Sequence, residues 1–440
     1  MTTHTFRHQL ESWTDPAAVH AKLWGHHDHV LWLDAGPDAV DGYSYLAVGV
    51  GELITGRDLT ALRSRIPSPA RNSATKLSQS AGPFTLGYIG WLGYELGAST
   101  TPVKLADPAH ESVRFIEVRA ALEFNHGTRT VTLLSHSDLD AQALRDALAA
   151  LATQRLNTKD LASASDRMVT SRHSDEQYML MVNECKAAIY RGDAYQLCLT
   201  NEYTVAGTWD AQDVYTRLRA DNPSHHGALL SLGGVHLLSS SPEVFMRVDN
   251  RGRVSTMPIK GTRARGMTPD EDKRLAEELR DSAKEQAENL MIVDLMRNDL
   301  SRVGQLGTVT AENLLDVHTL PHVHQLVSTV SAQLREGMTA IDAIEATFPA
   351  GSMTGAPKIA AMKILSVLEN GPRGVYSGAF GWFGNDGACE LAMVIRSIVI
   401  DESGASIGTG GGITSDSDPV AELEEMKLKA APALRALGLV

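Results

Sequence analysis

Cysteine is scarce in this chain of 440 residues: there are three, Cys185, Cys198 and Cys389, and none belongs to a C-x-x-C pair. An odd, dispersed set excludes a disulfide framework and a zinc site of the usual spacing, so buried, reduced thiols are expected. No segment approaches the roughly 18 to 20 uninterrupted apolar residues that a membrane helix requires. The opening MTTHTFRHQLESW also lacks the apolar centre of a signal peptide, and a cytosolic protein is expected. Basic residues number 40 against 53 acidic ones, a net charge of −13, with no sustained basic run. That balance excludes a phosphate-tracking nucleic-acid surface. No repeat of 20 to 50 residues is present, which excludes a solenoid.

What remains is ordinary globular material, 43% hydrophobic and 21% charged. The length exceeds one typical core, so one large domain or two intergrown ones are expected. The polar, Ser/Thr-rich stretch TQRLNTKDLASASDRMVTSRHS at 153–174 divides two regions of different texture. We therefore expect a sheet-rich lobe over 1–155, a linker over 156–174 and a second domain over 175–440. Short apolar runs such as VLWLDAG, YSYLAVGV and FTLGYIGWLGYE mark the first lobe as sheet. The second opens with a helix over 175–191 and continues with strands near 196–205, 227–233, 235–239 and 243–249.

Thr268-Pro269-Asp270-Glu271 combines an N-cap, Pro at the first helical position and Glu three residues after the cap. The pattern predicts a helix from Pro269 to about Asp299. Asp418-Pro419 opens a second helix, which Pro432 should perturb. Strands at 376–384, 389–400 and 405–409 precede it. An α+β fold built on antiparallel sheets fits this order.

Glu285 and Glu288 are three residues apart on the first of these helices, and Glu422 and Glu425 repeat the spacing on the second. Each pair shares one helix face. Most such pairs are solvated surface; if the two faces meet, an oxygen-only cluster suits Mg²⁺. Lys429, four residues after Glu425, can pair within its helix or reach an anion. The run Gly408-Thr409-Gly410-Gly411-Gly412 offers bare backbone N–H groups near a helix start, either a carboxylate cradle or a plain turn. Lys260, before Gly261-Thr262 at a strand end, is ordinarily a surface charge, but held in a closed pocket it becomes a nucleophile.

Together the blocks GDAYQLCLTNEY, LLSSSPEVFMRV, PIKGTRARG, AENLMIVDLMRNDLSRVG, TFPAGSMTGAPK, GVYSGAFGWF, LAMVIRS and GTGGGITSDSDPVAELEEMKLKA resemble the chorismate-utilising family over about 175–440. Its members include anthranilate, aminodeoxychorismate, isochorismate and salicylate synthases. SYLAVG and GYIGWLGYELG resemble its amino-terminal region more loosely. The resemblance implies two antiparallel sheets in a sandwich flanked by helices, like component I of anthranilate synthase. It implies that Glu285, Glu288, Glu422 and Glu425 surround Mg²⁺, and that Tyr376, Arg396, Gly411, Gly412 and Lys429 hold substrate carboxylates. Gly261 and Thr262 would line the pocket floor, and Glu243 would act as general acid near the departing hydroxyl. The homologous amino-terminal regions can bind tryptophan, here around Leu33-Asp34 and Ser44-Tyr45.

Lys260 separates the branches, since PIKGT resembles the aminodeoxychorismate synthases, whereas anthranilate and isochorismate synthases usually carry alanine there. The water-activating lysine of the hydrating branches falls near Tyr195-Gln196, a block without lysine. Amination through a covalent Lys260 adduct is thus expected, with ammonia from a separate glutamine amidotransferase. The alternatives are anthranilate synthase component I and a non-catalytic regulator that binds chorismate or tryptophan. Three positions depart from the family: Gln325 stands where histidine is frequent, with His324 one residue earlier; His225-His226 follows Asn222-Pro223; and Lys363 replaces a common acid.

Overall fold

The computed structural model describes residues 5–69, 84–153, 167–320 and 323–439. Much of the expected linker, 156–166, lies outside the described residues. Among the described residues, twelve strands form one antiparallel sheet, with Phe6–Gln9 at one edge and Gly355–Ala356 at the other. Ten form a second, from Val50–Gly56 to Ile259–Ala264.

Both sheets draw strands from both regions of the chain. Val30–Asp34 pairs with His226–Leu232 in the first sheet, and Gly87–Leu92 pairs with Ala379–Gly384 in the second. Val30–Asp34 is buried along its whole length because alternate residues enter different cores. Leu31 and Leu33 join Ile89, Trp91 and Phe380 of the other sheet. Val30 and Trp32 pack outward on helical residues such as Val19, Leu144 and Val214. The result is an α+β sandwich with helices on its outer faces, as expected.

Several boundaries differ from expectation. The helix expected from Pro269 to about Asp299 is two, Pro269–Asp281 and Ala283–Ser301, broken at Ser282, whose backbone is extended. Ser282 caps the second helix by accepting the Glu285 N–H at 3.4 Å; serine prefers this role to a helix interior. Nothing in the apolar spacing reveals the break, because a serine reads equally as an exposed helical residue. The strand expected over 389–400 is also two, Cys389–Met393 and Ser397–Asp401, with Arg396 at φ +50° between them. Pro432 does not end the last helix, Pro419–Ala436. The glycine run is no turn: it is part of the strand Gly404–Ile413, laddered along Gln196–Ala206.

Candidate active site

The lysine strand, Ile259–Ala264, pairs with Val323–Gln333, but the register slips by one between Ile259↔Val327 and Thr262↔Gln325. Lys260 and Gly261 occupy this bulge, a device that re-aims a side chain. Gly261 has φ +79°, and a Cβ there would lie 2.9 Å from the Glu285 carboxyl carbon. Glycine is therefore required on both counts. The Lys260 side chain is only 15% exposed, and its Nζ lies 3.8 Å from Glu288 Oε2. Beneath it runs the glycine strand: a Cβ on Gly412 would sit 3.3 Å from Lys260 Nζ and 2.4 Å from Gln196 Nε2.

The helix break places Glu285 in the first turn of Ala283–Ser301, with Glu288 one turn on. Glu422 and Glu425 occupy the start of Pro419–Ala436, capped by Asp418, which accepts from the Val420 and Ala421 N–H groups. The two acidic faces are near enough for the charge of Glu422 to act on Glu288. Burial pushes the Glu288 carboxyl above its usual range, and Glu285 and Glu422 add to the rise while Lys260 and Lys284 oppose it. Burial likewise raises Glu422, against the Ser417 hydroxyl that donates to it at 2.7 Å. Burial alone would raise Glu425 too, but Lys429, 2.7 Å away, brings it below the usual value. Each carboxylate faces a cation or a donor: Arg263 lies 3.7 Å from Glu285, and Lys284 3.9 Å from Glu288.

These are hard oxygen donors, the set that suits Mg²⁺. Among the described residues no three carboxylates close into a ready metal cage. The donor chemistry fits the ion, whose remaining positions water and an anionic ligand would have to fill.

The anion-binding candidates lie close by. Beyond Ser406 the glycine strand has Gln196–Ala206 on one edge, while Ser397–Asp401 pairs only with Gly404–Ser406. Part of its backbone is thus left for a ligand. A Cβ on Gly411 would lie 3.0 Å from Glu422 Oε2. Lys429 donates to the Gly410 carbonyl at 3.0 Å, so it bridges its own helix and the glycine strand. The Tyr376 side chain packs against Gly408, where a Cβ would lie 2.0 Å from Tyr376 Cγ. Arg396 is half-buried, and burial pushes its guanidinium below the usual value. It lines a cavity of about 370 Å³ with Thr262, Gln325, Ser240 and Pro242.

Glu243 is 8% exposed. Burial pushes its carboxyl up to about 7, against the nearby Ser352 and the charge of Lys260. It is therefore a group that can hold a proton near neutrality. The neighbours His324 and Gln325 point apart, as alternation along a strand requires. His324 meets Asp272 and Thr319, both at 2.9 Å, away from Lys260, whereas Gln325 faces the Arg396 cavity.

Sequence reasoning passed over Gln196 and Ser352. Gln196 is 2% exposed, and its amide oxygen has no hydrogen-bond partner among the described residues. An unsatisfied buried amide is costly unless a ligand meets it. Its signal in the sequence was only the missing lysine at 195–196. Leu33, Asp34, Tyr43 and Tyr45 line a cavity of about 320 Å³ with Arg247, His226 and Glu390, adjoining the Arg396 cavity through Ala35 and His225. Asp34 there is held by Arg219 at 2.6 Å and Tyr215 at 3.0 Å.

The family model for chorismate binding enzymes matches residues 29–435. The chain is 41% identical to aminodeoxychorismate synthase of Streptomyces griseus over 86% of its own length and 52% of that protein's. It is 36% identical to anthranilate synthase component 1 of Streptomyces coelicolor, over 97% of this chain and 87% of the other. It spans about half the length of the Streptomyces aminodeoxychorismate synthases that it matches. In structure it resembles anthranilate synthase component I from Streptococcus pneumoniae, with a TM-score of 0.75 at 26% identity over 96% of this chain and 97% of that one. A match that runs through both sheets, the lysine bulge and the two acidic helices settles the affiliation: this chain belongs to the chorismate-binding enzyme family.

Proposed function

We propose that the chain converts chorismate and ammonia to 4-amino-4-deoxychorismate, on the way to 4-aminobenzoate. The observation that carries this reading is Lys260, aimed by its bulge toward Glu288, Gln196 and the glycine strand. In the proposed reaction the free amine of Lys260 bonds to ring C2 as the C4–O bond breaks. Glu243 gives its proton to the departing hydroxyl, which leaves as water. Ammonia then bonds to C4 as the C2–N bond breaks and releases the lysine as a free amine. The surplus proton on the new C4 nitrogen returns to Glu243, and the enolpyruvyl ether is untouched. Splitting one difficult displacement into two is the gain of covalent catalysis.

Arg396, Tyr376, Lys429 and the open glycine backbone would hold the substrate carboxylates, Arg396 in bidentate fashion. Glu285, Glu288, Glu422 and Glu425 would hold Mg²⁺, which when bound supplies positive charge for the ring carboxylate. Ammonia would come from a glutamine amidotransferase partner. All three thiols are buried, and burial pushes Cys185 up to about 12, so none suits glutamine hydrolysis.

The test is incubation with chorismate, Mg²⁺ and ammonium, with products identified by mass spectrometry and Lys260→Ala run alongside. Aminodeoxychorismate from the wild type and a strongly impaired variant are expected. Anthranilate as the main product would establish the second reading, which the near full-length similarity to anthranilate synthase component 1 keeps in play.

A further inference from the structure

Directly behind Lys260 lies a buried polar node to which the proposed reaction assigns no role. Pro258, two residues before Lys260, turns its carbonyl inward, where it accepts from the Ser328 N–H at 3.2 Å and from the Asn289 side-chain amide at 3.5 Å. Ser328 Oγ donates to Asn289 Oδ1 at 2.6 Å and accepts from the Leu315 N–H at 3.0 Å. Asn289 and Ser328 are both 0% exposed. Leu315 itself is held at φ +56°, in the left-handed region unfavourable to a residue with a Cβ.

The placement of the node matters more than its burial. Asn289 directly follows Glu288 on Ala283–Ser301, and Ser328 lies on Val323–Gln333, the partner strand of the lysine bulge. The node thus ties three elements together: the acidic helix, the lysine strand just before its slip, and the strand against which it slips. A bulge has lost part of its ladder, so its direction depends on contacts outside the ladder. Here that contact is the Asn289 side-chain amide, which shares the Pro258 carbonyl with the Ser328 backbone N–H. Removing Ser328 Oγ leaves the Asn289 amide oxygen and the Leu315 N–H unpaired, so Asn289 loses the contact that orients its amide on the Pro258 carbonyl.

We propose that Asn289 and Ser328 are positioning residues for Lys260: they fix the bulge so that the amine is presented to the substrate ring at the distance set from Glu288. The proposal rests on Lys260 as nucleophile. Displacing a reacting group by about 1 Å costs on the order of a hundredfold in rate. The loss should therefore appear in kcat and spare chorismate binding, whose contacts come from Arg396, Tyr376 and the glycine strand.

The experiment compares wild type, Ser328→Ala, Asn289→Leu, Lys260→Ala and the Ser328→Ala/Lys260→Ala double variant in turnover of chorismate with Mg²⁺ and ammonium. Each single node variant is expected to lose at least tenfold in kcat, with the KM for chorismate and the half-saturating Mg²⁺ within twofold of wild type. Adding Ser328→Ala to Lys260→Ala should cost nothing further, because the group it positions is gone. Equal losses in both backgrounds, a loss confined to KM, or an unchanged kcat would overturn the proposal. Where Lys260→Ala leaves no turnover to measure, the split between kcat and KM decides alone. If Asn289→Leu does not fold, Ser328→Ala, which deletes one oxygen, carries the test. Full activity of Lys260→Ala would sink the lysine mechanism itself, an outcome read from that single variant.

Discussion

Lys260 Nζ stands 3.8 Å from Glu288 Oε2, beyond hydrogen-bond length but within strong Coulomb range, so the candidate nucleophile and a candidate metal ligand share one electrostatic neighbourhood. The lysine charge lowers the Glu288 carboxyl against the effect of burial. Until the amine gives up its proton for attack, the same charge also repels a cation that approaches the four glutamates.

Lys260→Ala should therefore separate binding from turnover. The variant should lose amination, yet bind Mg²⁺ in the presence of chorismate several-fold more tightly than wild type, because a competing positive charge is gone. Calorimetric titration of both proteins at one ionic strength checks this. Weaker Mg²⁺ binding in the variant would mean that the glutamates do not form the metal site.

Glu243 gives a pH dependence with a defined sign. Its folded value of about 7 lies above that of an exposed glutamate, so the folded protein holds a proton that the unfolded chain has released. As general acid it should make kcat/KM fall about tenfold per pH unit above its pKa. Stability should fall as pH rises between about 4.5 and 7, by on the order of 3 kcal/mol from this group. Glu243→Gln should flatten the alkaline limb at a much lower rate and remove that part of the stability loss. Rate profiles and urea midpoints across the range decide, and an unchanged alkaline limb in Glu243→Gln would rule the residue out as the acid.

The sandwich was legible in the sequence because its strands alternate or run fully apolar, and the two acidic faces were legible because i,i+3 spacing fixes a helix face. What escaped is what depends on partners far apart in the chain. The break at Ser282 escaped because serine is tolerated on an exposed helical face. The strand identity of the glycine run escaped because glycine carries no periodic signal, and its strand exists by pairing with Gln196–Ala206. Gln196 became noticeable only once its burial and unpaired oxygen were seen. His324 and Gln325 were adjacent letters whose division between Asp272 and the Arg396 cavity required the strand's orientation.

Gly408→Ala should act through the aromatic side chain that packs against it. The new methyl would be 2.0 Å from Tyr376 Cγ, an overlap that only movement of the ring can relieve. Overpacking of this kind costs about 1 to 3 kcal/mol. The KM for chorismate should rise more than kcat falls, because Tyr376 is assigned to binding and Lys260 lies elsewhere in the site. Steady-state kinetics check the division; a fall confined to kcat would place Tyr376 outside the carboxylate pocket.

Lys358 and Asp299 form a buried pair, Nζ to Oδ2 at 2.6 Å, with side chains 9% and 5% exposed. Lys358 also donates to the Thr347 carbonyl. The pair joins the end of the helix bearing Glu285 and Glu288 to the start of Lys358–Glu369, and the intervening chain places Ser352 beside Glu243. Removing one partner strands the other charge in a dry interior, a loss of roughly 3 to 5 kcal/mol. Lys358→Met should therefore lower the urea midpoint sharply. Lys358→Met/Asp299→Asn should recover at least half of that loss, since the orphaned charge is gone while the packing of the lysine stem is largely kept. No recovery in the double variant would mean that the ammonium's bond to the Thr347 carbonyl, rather than its charge pairing with Asp299, holds this corner of the fold.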